Sequence, residues 1–175
     1  PAGLAFSVYA ASRGHDVTLF DRGSEIGGQF NYAKQIPGKE EFHQTLRYFA
    51  EMLKVNKVNV QLNSEQTAGS LSSGGYDHVV LSSGIKARQL DIPGFDHPKV
   101  LSYLDVLKHH KSVGKTVAVI GAGGIGFDIA EYLTEPHSLT LQPEVWLKDW
   151  GIDADYQTRG ALLPAEISPA PARKI

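Results

Sequence analysis

The 175-residue chain contains no cysteine, which excludes disulfides, thiolate metal sites and a redox-active cysteine pair built from these residues. Neither charge sign dominates. The 17 Lys and Arg against 19 Asp and Glu leave a formal net charge of −2, and the basic residues are scattered along the chain. That gives no electrostatic footing for nucleic acid or an anionic membrane. No apolar run is long enough to span a bilayer and no signal-peptide pattern occurs, so a cytoplasmic location is the expectation. No array of short repeats is present. The rest is globular in composition, 42% apolar and 21% charged, with length for one domain or two small ones.

Glycine is placed with purpose. In KTVAVIGAGGIGFDIAEYL, Thr116 to Ile120 is a short β-branched apolar run of the kind that forms a strand buried on both faces. Gly121, Gly123 and Gly126 then read G-x-G-x-x-G, and Phe127 to Leu133 has helical apolar spacing. Strand, tight turn and helix in this order form the dinucleotide fingerprint. Gly121 allows the turn, Gly123 and Gly124 leave room for a pyrophosphate, and Gly126 lets helix and strand pack closely. The N–H groups of the first helical turn and the helix dipole favour the anion. The alternative is a glycine-rich turn without a ligand. The assignment requires Thr116–Ile120 in the main parallel sheet and the glycine loop beside a cleft.

The start of the chain reads as a second unit of the same kind. Pro1-Ala2-Gly3 opens a helix with apolar residues Leu4, Phe6, Val8 and Ala11, closed by Arg13-Gly14-His15, where Gly14 suits the left-handed position after a helix. Val17–Phe20 is a strand ending at Asp21, which lies 18 residues after Gly3, close to the offset of the acid that binds a dinucleotide's ribose. A solvated turn acid is the alternative. The chain therefore reads as a fragment that begins inside a phosphate loop, with the first strand of that unit expected before Pro1. Gly27-Gly28-Gln29 permits close backbone approach to a ligand, or forms a flexible loop. Ile36-Pro37-Gly38-Lys39 is a turn, and Glu40 to Val55 a helix with Phe42, Leu46, Phe49 and Leu53 on its inner face. Val58 to Leu62 is a strand and Glu65 to Gly75 a polar loop. Tyr76 to Ser82, with His78–Leu81 at its centre, reads as a buried strand running into Ser83-Gly84, either beside a cofactor or in an ordinary turn. His109 and His110 diverge on a helix end and form no metal site. In the tail, which carries Pro136, Pro143, Pro164, Pro169 and Pro171, Val145–Leu147 reads as part of a helical insertion. The next strand begins only at Arg173.

The fold class is thus α/β, with Rossmann-like parallel sheet units: residues 1–98 form a flavin unit lacking its first strand, and 99–175 the start of a pyridine-nucleotide unit. LFDRGSEIGGQFNYAKQIPGKEEF, HPKVLSYLDVL and VIGAGGIGFDIA resemble the bacterial NADPH-dependent 2,4-dienoyl-CoA reductases. Their flavoprotein family also includes trimethylamine dehydrogenase and barrel-containing NADH oxidases. The resemblance implies that Ala2 and Gly3 close an FAD phosphate loop, that Asp21 holds the FAD ribose, and that Gln29 contacts the cofactor through the Gly27-Gly28 loop. Gly38, Gln66 and Gly84 are further FAD candidates, and Gly121, Gly123, Gly124 and Gly126 carry the NADP(H) pyrophosphate. It places FMN, a 4Fe-4S cluster, the dienoyl-CoA site and every catalytic residue in other parts of the parent enzyme. The fragment alone is expected to be inactive, and unpaired sheet edges are expected to favour self-association. The alternatives are the same module from an NADH-linked flavin oxidoreductase, or an electron-transfer subunit without substrate chemistry.

Overall fold

The computed structural model describes residues 1–135, 137–163 and 170–175; Pro136, Pro164 and Pro169 lie outside them. The chain forms two compact units, one from Pro1–Lys34 with Glu41–His97, the other from Gln35–Glu40 with Pro98–Ile175.

In the first unit, α1 (Ala2–Ser12) leads through Gly14 (φ +92°) to β1 (Thr18–Phe20). The helix ends as its sequence implies: Gly14 N–H donates to Ala11 O and His15 N–H to Ala10 O, closing the last carbonyls. After α2 (Phe30–Ala33) and α3 (Glu41–Val55), β2 (Asn59–Gln61) pairs in parallel with β1, Leu19 opposite Val60. Parallel neighbours need a long crossover, and here α3 supplies it. Leu4 and Val8 of α1 and Leu46 and Leu53 of α3 form the buried core, with Leu19, Phe30, Phe49 and Val60 packed against it. Each such side chain contributes about 1.5–3 kcal/mol when fully buried. Phe6, another apolar residue of this helix, is 48% exposed, because the i, i+4 pair Leu4–Val8 already fills the stripe facing α3.

Two expectations for this unit are corrected. The polar stretch 65–75 contains a helix, α4 (Ala68–Ser73), started by a capping box in which Thr67 Oγ1 accepts from Ser70 N–H and Ser70 Oγ from Thr67 N–H. Residues 78–81 form no strand, and Val79, Val80 and Leu81 are exposed. A parallel strand exists only through its neighbours, and among the described residues no strand is paired with this segment.

The second unit contains α5 (Tyr103–Leu107), α6 (Gly124–Thr134) and α7 (Pro143–Asp149). Thr116–Ile120 is not a strand of the β1–β2 sheet, and Ile120 is 75% exposed. The requirement set on this segment from sequence is therefore not met as stated. The reason is that the sheet belongs to the first unit, whereas Thr116 belongs to the second and pairs there. Its parallel bridge is to Lys174: Val117 N–H donates to Lys174 O (2.9 Å) and Lys174 N–H to Lys115 O (3.0 Å). The chain thus runs from an extended segment through α6 to a parallel return at Arg173–Ile175, and α7 lies in the insertion between. At the far end of α6, the Arg173 guanidinium donates to Leu133 O (3.0 Å). Val106 and Leu107 of α5 and Ile129 and Leu133 of α6 are buried and supply apolar core to this unit. Among the described residues no helix is long and apolar enough to cross a membrane.

Helix α5 yields a first test. Asp105 accepts from Lys111 Nζ (2.6 Å) and from the Ser102 hydroxyl and N–H, which holds its carboxyl far below the ordinary range. A lowered folded-state pKa stabilises fully above the unfolded value of about 4, and that contribution is lost as pH falls through the folded value. Asp105→Ala is expected to cost about 1 kcal/mol, or about 2–4 °C in melting temperature at pH 7. Thermal melts should show the gap to the unsubstituted protein narrowing below about pH 4; a gap independent of pH down to about 2 contradicts the ion-pair account.

Candidate functional site

The two 11-residue helices α1 and α6 open in the same way. Each begins without a side-chain cap and without an acidic residue in its first turn, so the first N–H groups face outward with the positive end of the dipole. Each also carries a first-turn glycine at a close crossing. A Cβ on Gly3 would lie 2.5 Å from Ser82 Oγ and 3.6 Å from Leu19 Cδ1. A Cβ on Gly126 would overlap the carbonyl oxygen of Gly121 and lie 3.7 Å from Val119 Cγ1.

Around α1 the structure gathers several of the residues singled out from sequence. Gly28 (φ +53°) lies against Pro1, with Pro1 Cδ 3.9 Å from the position of its Cβ. Gly27 (φ +118°) is fixed, because a Cβ there would meet Leu46 at 2.7 Å, and buried Asn31 donates to Ile26 O (2.9 Å). The Gly27-Gly28 loop is thus an ordered turn packed on α3, and Gln29 follows it as the N-cap residue of α2. Ser82 reaches Gly3, and Gly84 follows at φ +76° with open space around its Cβ direction. Asp21 caps its own turn, accepting from Gly23 N–H at 2.7 Å, while its backbone pairs with Gln61 and Ser64. Gln66 is engaged at both ends of its amide, by Ser64 Oγ and Ser70 Oγ, so its side chain braces the start of α4. Gly38 belongs to the second unit, where its N–H donates to Ser138 Oγ (3.1 Å).

In the second unit, Gly121 has φ +117° and Gly123 is the N-cap residue of α6. Added Cβ atoms on Gly121, Gly123 or Gly124 would meet nothing within 4 Å, so the loop presents bare backbone to an open face. Close approach of a phosphate group to backbone N–H donors needs open backbone of this kind. Two participants were not visible in the sequence pattern: Ser82 at Gly3, and Lys39, whose Nζ lies 2.6 Å from Asp128 Oδ1 on α6. The second pair is separated by 89 residues, and no local signal announces it.

Residues 1–144 match the family described as pyridine nucleotide-disulphide oxidoreductase. The chain is 32% identical over 134 residues to a bilirubin reductase of Mediterraneibacter gnavus, covering 77% of this chain and 21% of that protein. It is 31% identical over 163 residues to an NADH oxidase of Thermoanaerobacter brockii, covering 89% and 24%. The solved complex of 2-naphthoyl-CoA reductase with 2-naphthoyl-CoA superimposes with a TM-score of 0.72 at 31% identity, over 75% of this chain and 20% of that one. The chain therefore spans about a fifth to a quarter of the length of these proteins. The fold is a Rossmann-like α/β arrangement with parallel pairing. With a family match over residues 1–144, most of its length, the chain belongs to the pyridine nucleotide-disulphide oxidoreductase family.

Proposed function

We propose that these residues are the electron-input module of a larger flavoenzyme, with FAD on the first unit, NADPH on the second, and a conjugated acyl-CoA thioester, 2,4-dienoyl-CoA, as the substrate of the whole enzyme. The observation that carries this reading is the duplicated helix start: α1 and α6 are both uncapped, lack first-turn acids and cross a neighbouring segment at glycine. When bound, the two cofactors supply hydride and a two-electron relay. The chain's own part is to bind and orient them. The N–H groups at Gly123–Gly126 hold one pyrophosphate, and those at Ala2 and Gly3 the other. Asp21 accepts from ribose hydroxyls, and Gly28, Gln29 and Gly84 bring backbone close to the flavin nucleotide. Gly38 and Gln66 are assigned weaker roles at its edge. FMN, a 4Fe-4S cluster and the catalytic proton donors belong to the remainder of the enzyme. The CoA thioester is favoured by likeness to the 2-naphthoyl-CoA reductase complex; likeness to an NADH oxidase over 89% of the chain favours an NADH-linked enzyme as the second reading. Self-association is proposed through the exposed run Val79–Leu81.

The test uses the intact enzyme. A flavin absorbance spectrum and NADPH oxidation that accelerates at least about tenfold on addition of a 2,4-dienoyl-CoA are expected. Oxidation of NADH at full rate without the thioester would select the second reading. A colourless protein that binds neither nucleotide would overturn both.

A further inference from the structure

Helix α6 and its C-terminal cap carry three carboxylates, Asp128, Glu131 and Glu135, and Asp128 is the first acid after the glycine loop. It lies four residues beyond Gly124, about 6 Å along the helix axis. A pyrophosphate at the helix start brings two further negative charges, so an unneutralised Asp128 would repel it. Repulsion among these acids is already felt: burial pushes the Glu131 carboxyl up, the carboxylates of Glu135 and Asp128 push it further, and Lys39 opposes them.

Lys39 meets Asp128 at 2.6 Å, with both side chains about one third exposed. It is delivered by a fixed turn. Ile36 is 1% exposed, Gly38 (φ +81°) donates its N–H to Ser138 Oγ, and Glu40 Oε2 accepts from Thr140 Oγ1 at 2.8 Å. Burial pushes the Glu40 carboxyl up, but hydrogen bonds from Ser138, Thr140 and neighbouring backbone N–H groups outweigh it and hold the carboxyl below its ordinary value, so Glu40 stays ionised and anchored to Thr140. A loose surface pair would contribute little, but a lysine held by its own turn keeps its charge where Asp128 is.

We infer that Lys39 is a positioning residue for the nicotinamide dinucleotide, cancelling the charge of Asp128 so that the start of α6 attracts the pyrophosphate. This rests on the reading that α6 binds NAD(P)H. The experiment titrates the intact enzyme with NADPH and NADH, with ADP-ribose, which keeps the pyrophosphate and lacks the nicotinamide, and with adenosine, which lacks both. Lys39→Ala is expected to weaken ADP-ribose binding about three- to tenfold, more strongly at low salt, with adenosine unaffected. Adding Asp128→Asn to Lys39→Ala should return the affinity to within about twofold of the starting enzyme, since the uncompensated charge is then gone. Lys39→Arg should hold it throughout. A double variant as weak as Lys39→Ala would show that packing, not charge, is the role, and equal weakening of adenosine would show the same. If Lys39→Ala does not fold, Lys39→Met carries the identical test. An enzyme that binds no dinucleotide before any substitution overturns the functional reading itself; one that binds it equally with and without Lys39 overturns only this inference.

Discussion

Gly123→Val in the intact enzyme is expected to raise the Kd for NAD(P)H about 100-fold while leaving the protein folded. Gly123 has φ −86° and ψ 178°, an extended conformation that valine adopts readily. A Cβ added there meets no non-neighbouring atom within 4 Å, so the branch point of the new side chain sits in open space. The folding cost is confined to a poorer residue at the N-cap, about 1 kcal/mol. Binding is another matter, because the open face is where the pyrophosphate would approach the backbone N–H groups. Two branched methyls there would keep the anion from its donors, and each loss of about 1.4 kcal/mol is a factor of ten in Kd. Circular dichroism reports folding and fluorescence titration with NADPH reports affinity. Unchanged affinity in a folded variant would mean that the nucleotide is not seated at this loop.

The same residues show what a sequence tells and what it withholds. The helices could be read because their signals are local: the apolar spacing of Leu46 and Leu53 in α3, Gly14 after α1, and the glycines ahead of α6. The insertion was legible too. Val145–Leu147 lacks β-branched density and lies in α7, and the parallel return comes at Lys174. Strands at 78–81 and 116–120 were not obtainable in this way. Apolarity shows that a segment tolerates burial, but a strand also needs a partner, and partners are distant in sequence. In the first unit, among the described residues, only β1 and β2 find each other. The polar stretch before Tyr76 misled for the opposite reason: serines and glycines suggested a loop, whereas Thr67 and Ser70 at capping-box spacing were the better signal. At the site, the glycines could be named from their spacing. Ser82 beside Gly3 and Lys39 beside Asp128 are products of tertiary folding.

Gly126→Ala is expected to destabilise the intact protein by about 2–3 kcal/mol, although the same change in an ordinary helix gains about 1 kcal/mol. Gly126 lies inside α6, so helix propensity favours alanine. Against this, the added methyl would overlap the carbonyl oxygen of Gly121 and lie 3.1 Å from its carbonyl carbon. Both are backbone atoms of a turn at φ +117°, and neither can rotate away. Helix and loop must therefore separate, and the close crossing that sets the N–H groups beside the loop is lost with it. Gly3→Ala supplies the control, being the corresponding change in the first turn of α1. There the nearest atom is Ser82 Oγ at 2.5 Å, the end of a side chain with other rotamers, so the cost should stay within about 1 kcal/mol. Urea melts of the two variants against the unsubstituted protein decide the point, and NADPH titration of each should show the larger loss for Gly126→Ala. Equal destabilisation of the two would mean that backbone contact at the second crossing does not set the fold of that unit.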